Sequence, residues 1–280
     1  MTWFSEQLHD NYQLQLFVTK TLFRNKTDLQ DLAIFENPVF GRVLTLDGVI
    51  QTTEGDEFIY HETLAHVPMM AHGQAKTALI VGGGDGGMLR RVLQHPGVQA
   101  TLVEIDQGVI DLCREYLPSI SENSFDHPRA RVVIADGAKY MAEARDTYDV
   151  IIVDSTDPMG PGEVLFTAAF YADCKRRLNP NGILATQSGV PFLQKTELSN
   201  SYSRLKPLFA DTGFFVAPVP TYSGGFMAFG WATDNKEARA TPKAVIEERY
   251  RKAALETRYY NPDIHVASFA LPNYIRDLMR

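Results

Sequence analysis

Hydrophobic positions follow two different rhythms along the chain. Between residues 12 and 53, short apolar or alternating runs are separated by the turn pairs Asn37-Pro38 and Asp47-Gly48, a pattern typical of strands and hairpins. The strands predicted there span residues 15–18, 31–35 and 42–46. Residues 54–70 carry apolar side chains at helical spacing, with no breaker before Pro68, and predict an amphipathic helix.

Beyond residue 73, predicted strands alternate with predicted helices, which indicates a mostly parallel sheet with helices on both faces. The strands span residues 78–81, 101–104, 131–134, 150–153 and 183–186, and the helices span 87–94, 108–116 and 167–178. Two late apolar runs, at 214–216 and 226–231, predict an antiparallel pair. We therefore expect an N-terminal antiparallel β domain of residues 1–72, ending in a helix, and a Rossmann-like nucleoside-binding catalytic domain of residues 73–280.

The charge balance narrows the range of partners. The 280 residues include 27 Lys and Arg against 34 Asp and Glu, a formal charge of −7, which weakens a nucleic-acid or anionic-membrane function and suits a cationic substrate. Cys113 and Cys174 lack the spacing of a disulfide framework or a zinc site. The N-terminus shows no targeting pattern, and no stretch approaches 18 apolar residues. We expect a cytoplasmic protein without a metal, nucleic-acid partner or membrane partner.

The glycine-rich run GGGDGG at residues 82–87 directly follows the first predicted parallel strand. Glycines in such loops let the backbone approach a ligand at a helix N-terminus. Asp85 would repel a phosphate there, so its position predicts a cationic ligand. Glu104 ends the next strand about 20 residues on, the separation at which an acidic side chain meets ribose hydroxyls in nucleotide-binding α/β folds.

Further carboxylates follow later strands. Asp136 comes after the third parallel strand, and Asp154 and Asp157 come after the fourth. Ligands of doubly wound sheets bind outside the carboxyl ends of the strands, so these groups should meet Asp85 and Glu104 in one crevice. No histidine cluster accompanies them, and we favour an organic cation over a metal ion as the ligand.

Acidic residues after four strand ends look like the fold of S-adenosylmethionine-dependent transferases. Longer motifs then resemble the spermidine synthases over nearly the whole chain: LDGVIQ at 46–51, DEFIYHE at 56–62, GGGDGG at 82–87, VEID at 103–106, DSTDPMGP at 154–161 and PTY at 220–222. One position departs from the family pattern, since Arg91 stands where glutamate is frequent. The sequence does not fix the consequence of Arg91 for the charge network of its helix.

The resemblance implies transfer of the aminopropyl group of decarboxylated S-adenosylmethionine to putrescine, which yields spermidine and methylthioadenosine without a cofactor or metal. It implies that Asp154 is the catalytic base, and that Asp85 binds the donor amine and repels the carboxylate of ordinary S-adenosylmethionine. The implied donor site comprises Gln30, Gln51, Gly82, Gly84, Asp85, Glu104, Asp136, Gly137 and Pro161, with Glu104 on the ribose and Asp136 and Gly137 on the adenine. The implied polyamine site comprises Tyr60, His61, Asp85, Asp154, Asp157 and Tyr222.

Three alternatives stay open at this point. The acceptor could be cadaverine, agmatine or spermidine, because pocket depth depends on side chains outside the motifs. The same scaffold could host a diamine N-methyltransferase, although Asp85 opposes that function, or a polyamine or nucleoside sensor without turnover.

Kinship implies a homodimer or homotetramer without choosing between them. Either residues 156–163 or residues 188–191 could close over the substrates.

Overall fold

A computed structural model describes residues 2–27, 29–158 and 160–280, without the side chain of Pro161. Its strands are β1 (Thr2–Ser5), β2 (Gln15–Val18), β3 (Lys20–Lys26), β4 (Asp31–Asn37), β5 (Gly41–Leu46), β6 (Val49–Thr53), β7 (Thr77–Gly82), β8 (Gln99–Glu104), β9 (Ala130–Ile134), β10 (Tyr148–Asp154), β11 (Leu178–Gln187), β12 (Asp211–Ala217) and β13 (Met227–Thr233). Its α-helices are α1 (Glu57–His72), α2 (Gly87–Leu93), α3 (Gln107–Tyr116), α4 (Pro118–Ser121), α5 (Gly137–Glu143), α6 (Ala168–Arg177), α7 (Lys195–Leu205), α8 (Lys243–Ala253), α9 (Pro262–Ser268) and α10 (Asn273–Arg276). Short 3₁₀ segments span Ser124–Asp126, Gly160–Phe166 and Asp277–Met279.

The N-terminal strands form two antiparallel sheets, a β1–β2 pair and a four-stranded sheet in the order β3-β4-β5-β6. Asp47 and Gly48 join β5 to β6 with φ of 49° and 79°, the left-handed conformations that tight hairpin turns require. Buried Leu32 and Leu44 of this sheet pack with Val109 of α3 in one apolar cluster. The small sheet is therefore fixed against the helices that follow the glycine loop.

The large sheet has seven strands in the order β12-β13-β11-β10-β7-β8-β9. The five strands from β11 to β9 run parallel, and β12 and β13 form the antiparallel pair at one edge. Alternate residues of β7 enter different apolar clusters, with Ile80 in one and Leu79 and Val81 in the other, so both faces of the sheet are covered. The predicted fold class is confirmed, including the late antiparallel pair.

Helix α1 connects the two parts of the chain. It passes through Pro68, continues to His72 and ends at Gly73, whose φ is 75° and whose N–H bonds to the carbonyl of Met69. Its buried Leu64 and the α2 residue Leu89 belong to the same apolar cluster as the large sheet. The division of the chain between residues 72 and 73 stays a prediction.

The sheet order determines where a ligand can bind. β7 and β10 are neighbours at the centre, and the chain continues from β7 toward β8 and β9 on one side and from β10 toward β11 on the other. This reversal separates the loops that leave the two central strands and opens a crevice at their carboxyl ends. The loops after β7, β8, β9 and β10 carry Asp85, Ile105, Asp136 and Ser155, and all four residues line one cavity.

Gly82 lets the first of these loops pass close to the next strand. The φ of Gly82 is 85°. The start of the loop is held by a 2.9 Å hydrogen bond from the Gly83 N–H to the carbonyl oxygen of Asp154. A Cβ atom at Gly82 would lie 2.0 Å from that same carbonyl oxygen. No side chain fits there without moving the strand that carries Asp154.

We expect Gly82→Ala to destabilise the protein by at least about 3 kcal/mol, because left-handed strain of about 1–2 kcal/mol combines with a backbone overlap. Gly97→Ala is the matched control, since Gly97 has a φ of 76° but its added Cβ would meet nothing within 4 Å. Urea unfolding at one protein concentration measures both variants. Equal losses of unfolding free energy in the two variants would contradict the proposed overlap.

Candidate active site

Asp85 and His61 form a buried ion pair at the glycine loop. One carboxylate oxygen of Asp85 accepts a 2.8 Å hydrogen bond from the Gly87 N–H, and the other lies 3.4 Å from Nε2 of His61. Nδ1 of His61 lies 2.7 Å from Glu57 Oε2. The imidazole of His61 therefore stands between two carboxylates, one in the loop and one on its own helix.

These contacts set the charge of the imidazole. Burial by itself would lower the pKa of His61, but Asp85 and Glu57 outweigh burial and raise that pKa to about 10. Burial also opposes ionisation of Asp85, and His61 outweighs it, so the pKa of Asp85 is lowered. At neutral pH the pair is an imidazolium and a carboxylate.

Asp154 ends β10 and faces this pair. The Tyr60 hydroxyl donates a 2.7 Å hydrogen bond to Asp154 Oδ1. Burial and, to a smaller extent, the negative charge of Asp85 raise the pKa of Asp154 to about 6, against opposing contributions from His61 and Tyr60. Asp154 is therefore a carboxylate at neutral pH but a stronger base than an exposed aspartate.

Glu104 ends β8 on the other side of the glycine loop. It is 8% exposed and accepts a 2.9 Å hydrogen bond from the Asp106 N–H. Burial, with smaller contributions from Asp106 and Asp154, raises the pKa of Glu104 to about 7 despite backbone hydrogen bonds that lower it. A Cβ atom on Gly84 would lie 2.9 Å from Glu104 Oε2, so the missing side chain leaves the carboxylate accessible from the loop.

Asp106 connects this end of the site to the N-terminal sheet. One of its carboxylate oxygens accepts a 2.8 Å hydrogen bond from the Gly108 N–H at the start of α3. The other accepts hydrogen bonds from Thr27 Oγ1 at 2.9 Å and from Gln30 Nε2 at 3.1 Å. The position of Gln30 at the cavity is therefore fixed by a residue of the parallel-sheet domain.

Asp136 and Gly137 occupy the end of β9. Asp136 Oδ1 accepts hydrogen bonds from the N–H groups of Ala138 and Lys139, at 2.8 and 3.1 Å, and caps α5. A Cβ atom on Gly137 would lie 2.5 Å from Val81 Cγ1, so glycine allows α5 to start against β7. The loop thereby holds its backbone and the Asp136 carboxylate at the cavity wall.

The opposite end of the cavity contains Asp157 and two tyrosines. Gln187 Nε2 donates a 2.9 Å hydrogen bond to Asp157, whose pKa is raised by burial. The rings of Tyr60 and Tyr222 meet edge to face with centroids 5.6 Å apart, and the Tyr222 hydroxyl donates to the carbonyl of Gln51. This end combines a buried carboxylate with aromatic walls.

The loop that carries Tyr222 is tied to the start of α1. Asp56 Oδ2 accepts hydrogen bonds from the N–H and the hydroxyl of Thr221, at 2.8 and 2.7 Å. Thr53 donates a further 2.6 Å bond to Asp56 Oδ1. Because Asp56 is buried, these contacts hold the loop at a fixed distance from the cavity.

One cavity collects nearly all the predicted site residues. It is lined by Gln30, Gln51, Tyr60, His61, Gly82, Gly84, Asp85, Glu104, Asp136, Gly137, Asp154, Asp157 and Tyr222. The side chain of Pro161 lies outside the described part of the structure. The assigned roles of these residues stay predictions.

The structure adds lining residues that the sequence patterns did not indicate. Glu6 is 6% exposed and accepts a 3.0 Å hydrogen bond from the Ile50 N–H. Burial, with a smaller contribution from Asp157, raises the pKa of Glu6 although the Ile50 hydrogen bond lowers it. His9, Gln187 and Gln194 also line the cavity. Gln187 ends β11, directly after the predicted strand 183–186, but it is not acidic, so the acidic strand-end pattern does not indicate it. No strand-end signal marks Glu6, His9 or Gln194.

The electrostatic composition of the cavity is one-sided. Its lining includes the carboxylates of Glu6, Asp85, Glu104, Asp136, Asp154 and Asp157. Among the lining residues that the structure describes there is no lysine or arginine, and His61 is the side chain held in cationic form. Such a cavity attracts ligands with more than one positive charge.

The described residues show neither a cluster of metal-ligating side chains nor a membrane-spanning helix. They contain no group of three or more His, Cys, Asp or Glu side chains arranged to hold a metal ion. Within the same residues, no helix combines the length and apolar character needed to cross a membrane. The cytoplasmic location stays a prediction.

Comparison with known proteins gives a consistent family. Residues 57–242 match the spermine/spermidine synthase domain, and residues 2–54 match the spermidine synthase tetramerisation domain. The polyamine aminopropyltransferase of Salmonella schwarzengrund (strain CVM19633) is 54% identical over 279 residues, which cover 99% of this chain and 98% of the relative. That of Salmonella agona (strain SL483) is 53% identical with the same coverage.

Solved structures agree with the sequence relatives. A spermidine synthase in complex with the transition state analogue AdoDATO superposes with a TM-score of 0.94 at 40% identity, covering 99% of this chain and 94% of that one. Spermidine synthase from Thermotoga maritima gives a TM-score of 0.91 at 39% identity with the same coverage. The predicted resemblance is confirmed. The carboxylate-lined cavity thus lies in a chain that belongs to the spermine/spermidine synthase family, as an enzyme of the polyamine aminopropyltransferase class.

Proposed function

We propose that this enzyme transfers the aminopropyl group of decarboxylated S-adenosylmethionine to putrescine, giving spermidine and methylthioadenosine. The observation that carries the proposal is the carboxylate-rich cavity, whose described lining residues include no lysine or arginine. The donor brings a sulfonium and an ammonium, and the acceptor brings two ammonium groups. Together these positive charges would offset the mutual repulsion of the carboxylates that line the cavity.

The donor nucleoside is assigned to the end of the cavity formed by β8 and β9. Glu104 would accept hydrogen bonds from the ribose hydroxyls, and the absence of a side chain at Gly84 leaves room above its carboxylate. Asp136 and Gly137 would hold the adenine edge, with Gln30 and Gln51 closing the pocket from the N-terminal sheet. This orientation directs the aminopropyl chain toward the glycine loop and Asp85.

Asp85 would then select the decarboxylated form of the donor. It offers a carboxylate to the ammonium of the aminopropyl chain, whereas ordinary S-adenosylmethionine carries a carboxylate beside the same amine. In a buried site, the carboxylate of ordinary S-adenosylmethionine would be repelled by that of Asp85. Asp85 would therefore disfavour ordinary S-adenosylmethionine and attract its decarboxylated form.

Putrescine is assigned to the space between Asp154 and the opposite end of the cavity. Its reacting nitrogen would face Asp154, while Asp157 and Glu6 offer carboxylates to the distal ammonium. Tyr60 and Tyr222 would flank the chain, and their ring faces favour cationic groups. The distance from Asp154 to the carboxylates of Asp157 and Glu6, rather than any single motif, would set the preferred acceptor length.

Asp154 would act as the general base. The acceptor amine has an ordinary pKa of about 10.4, so its nitrogen arrives protonated. The neighbouring sulfonium disfavours this positive charge, and Asp154 accepts the proton directly or through a water molecule. The freed nitrogen lone pair attacks the methylene carbon, the carbon–sulfur bond breaks, and its electron pair remains on sulfur as a neutral thioether.

Alignment would supply much of the rate enhancement. The neutral thioether leaves without needing a proton, so no general acid is required. Holding nitrogen, carbon and sulfur in line can contribute about 7–11 kcal/mol. The 2.7 Å hydrogen bond from Tyr60 holds the Asp154 carboxylate in place, which supports its role as the base.

An oligomer is also part of the proposal. Residues 2–54 match the spermidine synthase tetramerisation domain, and this supports assembly through the N-terminal sheets. Homodimer and homotetramer are both compatible with that match.

The direct test supplies purified protein with decarboxylated S-adenosylmethionine and a panel of putrescine, cadaverine, agmatine and spermidine. Mass spectrometry follows methylthioadenosine and the polyamine product. We expect putrescine to give the highest kcat/KM and spermidine as product. A higher kcat/KM for another acceptor would overturn the assigned substrate, and methylated product from ordinary S-adenosylmethionine alone would overturn aminopropyl transfer.

We expect Asp154→Asn to lower kcat by about 10²- to 10⁴-fold, because the variant cannot accept the ammonium proton. In the wild type, kcat/KM should fall about tenfold per pH unit below about 6, where Asp154 becomes protonated. Steady-state kinetics between about pH 5 and 9 measure both effects. A variant that retains near wild-type kcat would show that another group is the base.

Thermal unfolding is the control for this variant. The pKa of Asp154 in the folded protein, about 6, is above the ordinary value of 3.8, so its stabilising contribution is present at low pH and is lost as pH rises through 6. Asp154→Asn should therefore have a higher Tm than wild type at about pH 7.5 and an equal Tm near pH 4. A lower Tm at both pH values would point to a damaged fold as the cause of lost turnover.

A further inference from the structure

Another buried carboxylate, that of Glu57, lies directly behind the active site. Glu57 begins α1, is 7% exposed and is not one of the described residues that line the cavity. Its Oε2 lies 2.7 Å from His61 Nδ1, and its Oε1 lies 2.7 Å from Arg90 Nη2 and 3.4 Å from Arg91 Nη2. None of the roles assigned above explains why a carboxylate occupies this position.

The imidazole that Glu57 contacts is held in one orientation. A Cβ atom on Gly87 would lie 2.3 Å from His61 Cε1, so the first turn of α2 covers one side of the ring. Glu57 faces Nδ1 and Asp85 faces Nε2, while Tyr60 and Asp154 lie on the cavity side. Only the doubly protonated ring has a hydrogen for each of the two carboxylates.

The two carboxylates do not share the imidazolium equally. The Glu57 contact of 2.7 Å is a short hydrogen bond, whereas the Asp85 contact of 3.4 Å is longer than ordinary hydrogen bonds. The shorter contact of His61 is with Glu57. Asp85 therefore receives no short hydrogen bond from the imidazolium that stands beside it.

Charges alternate from the cavity toward the outside of α2. Behind Glu57, Arg90 forms an ion pair with Glu122 at an N–O distance of 2.6 Å. Arg91 forms one with Glu62 at 3.3 Å. Glu62 is fully buried and accepts backbone hydrogen bonds from residues 258, 259 and 260. Glu57 is thus held in its ionised form from behind and can stabilise the His61 imidazolium from its far side.

We propose that Glu57 is a positioning residue for the donor: it binds the His61 imidazolium at Nδ1 and so leaves Asp85 available to an incoming ammonium group. The inference rests on the proposed function, in which Asp85 receives the amine of decarboxylated S-adenosylmethionine. Without the Glu57 charge, His61 would either lose its proton or pair fully with Asp85. If His61 loses its proton, the main interaction that offsets the burial of Asp85 is lost, and burial then favours the neutral acid form of Asp85. If His61 pairs fully with Asp85, that carboxylate is already occupied. Both outcomes weaken the site for a cationic aminopropyl chain.

Glu57→Gln tests the proposal, because glutamine keeps polar atoms toward His61 and Arg90 but removes the charge. Calorimetry compares decarboxylated S-adenosylmethionine with methylthioadenosine, which lacks the aminopropyl group. We expect Kd for the decarboxylated donor to rise about tenfold and Kd for methylthioadenosine to change less than about twofold. Equal weakening of both ligands, or of neither, would overturn the proposal.

Glu122→Gln is the matched control. It removes the other carboxylate partner of Arg90, but the Glu122 side chain is 64% exposed, so solvent screens its charge. Both ligands should bind this variant as they bind the wild type. A tenfold loss for the donor in Glu122→Gln as well would overturn the specific role of Glu57.

Two readouts separate this inference from the proposed function. If wild-type protein fails to bind decarboxylated S-adenosylmethionine, the proposed function fails; if only the effect of Glu57→Gln is absent, the inference about Glu57 fails. Nitrogen-15 NMR of His61 in the wild type decides the matter even if the variant does not fold. We expect both ring nitrogens to be protonated at about pH 7.5, and a neutral imidazole would overturn the proposal.

Discussion

Repulsion among carboxylates is the constraint around which this site is built. The parallel strands deliver Asp85, Glu104, Asp136 and Asp154 to the same edge of one sheet. Burial, with smaller contributions from neighbouring carboxylates, raises the pKa of Glu104 to about 7 and that of Asp154 to about 6, so both groups resist ionisation in this site. The cavity therefore favours cations, and the protein's own side chains neutralise only part of its negative charge.

The imidazolium of His61 supplies the positive charge that the protein itself brings to the cavity. It lies against Asp85 on the cavity side and against Glu57 on the other side. The buried positive charge of the imidazolium is therefore paired with two carboxylates of the protein itself. The remaining carboxylates are held by backbone N–H groups, amides and hydroxyls rather than by lysine or arginine. Under the proposed function, the ammonium and sulfonium groups of the substrates would complete the charge balance, so that binding relieves the repulsion among the carboxylates.

Much of this could be predicted from the sequence, because strand ends and glycine loops have local signals. Apolar runs fixed the central strands, and the acidic residues after them fell in one crevice as sheet geometry requires. Strand β3 gave no such signal, since none of its residues is buried and its side chains do not alternate. Helix α8 buries only Ile246, so it lacks an apolar stripe. Glu6 reaches the cavity through long-range contacts that no local pattern records.

The effect of Arg91 illustrates the same limit. Its place after the glycine loop was visible in the sequence, but its partners, Glu57 and Glu62, lie on a different helix. Glu57 and His61 are four residues apart on α1, a spacing that places them on one face, yet only the three-dimensional structure shows which other charges meet them. Pairing across elements, rather than motif content, determines the charge state of the site.

The proposed function depends above all on recognition of the donor ammonium group by Asp85. The most direct test of this recognition is calorimetric binding of decarboxylated S-adenosylmethionine and methylthioadenosine to wild-type protein and to Asp85→Asn. We expect the variant to lose at least about tenfold in affinity for the decarboxylated donor, because a charge-assisted contact is removed, while its affinity for methylthioadenosine is unchanged. Equal loss of affinity for the two ligands would contradict this role of Asp85.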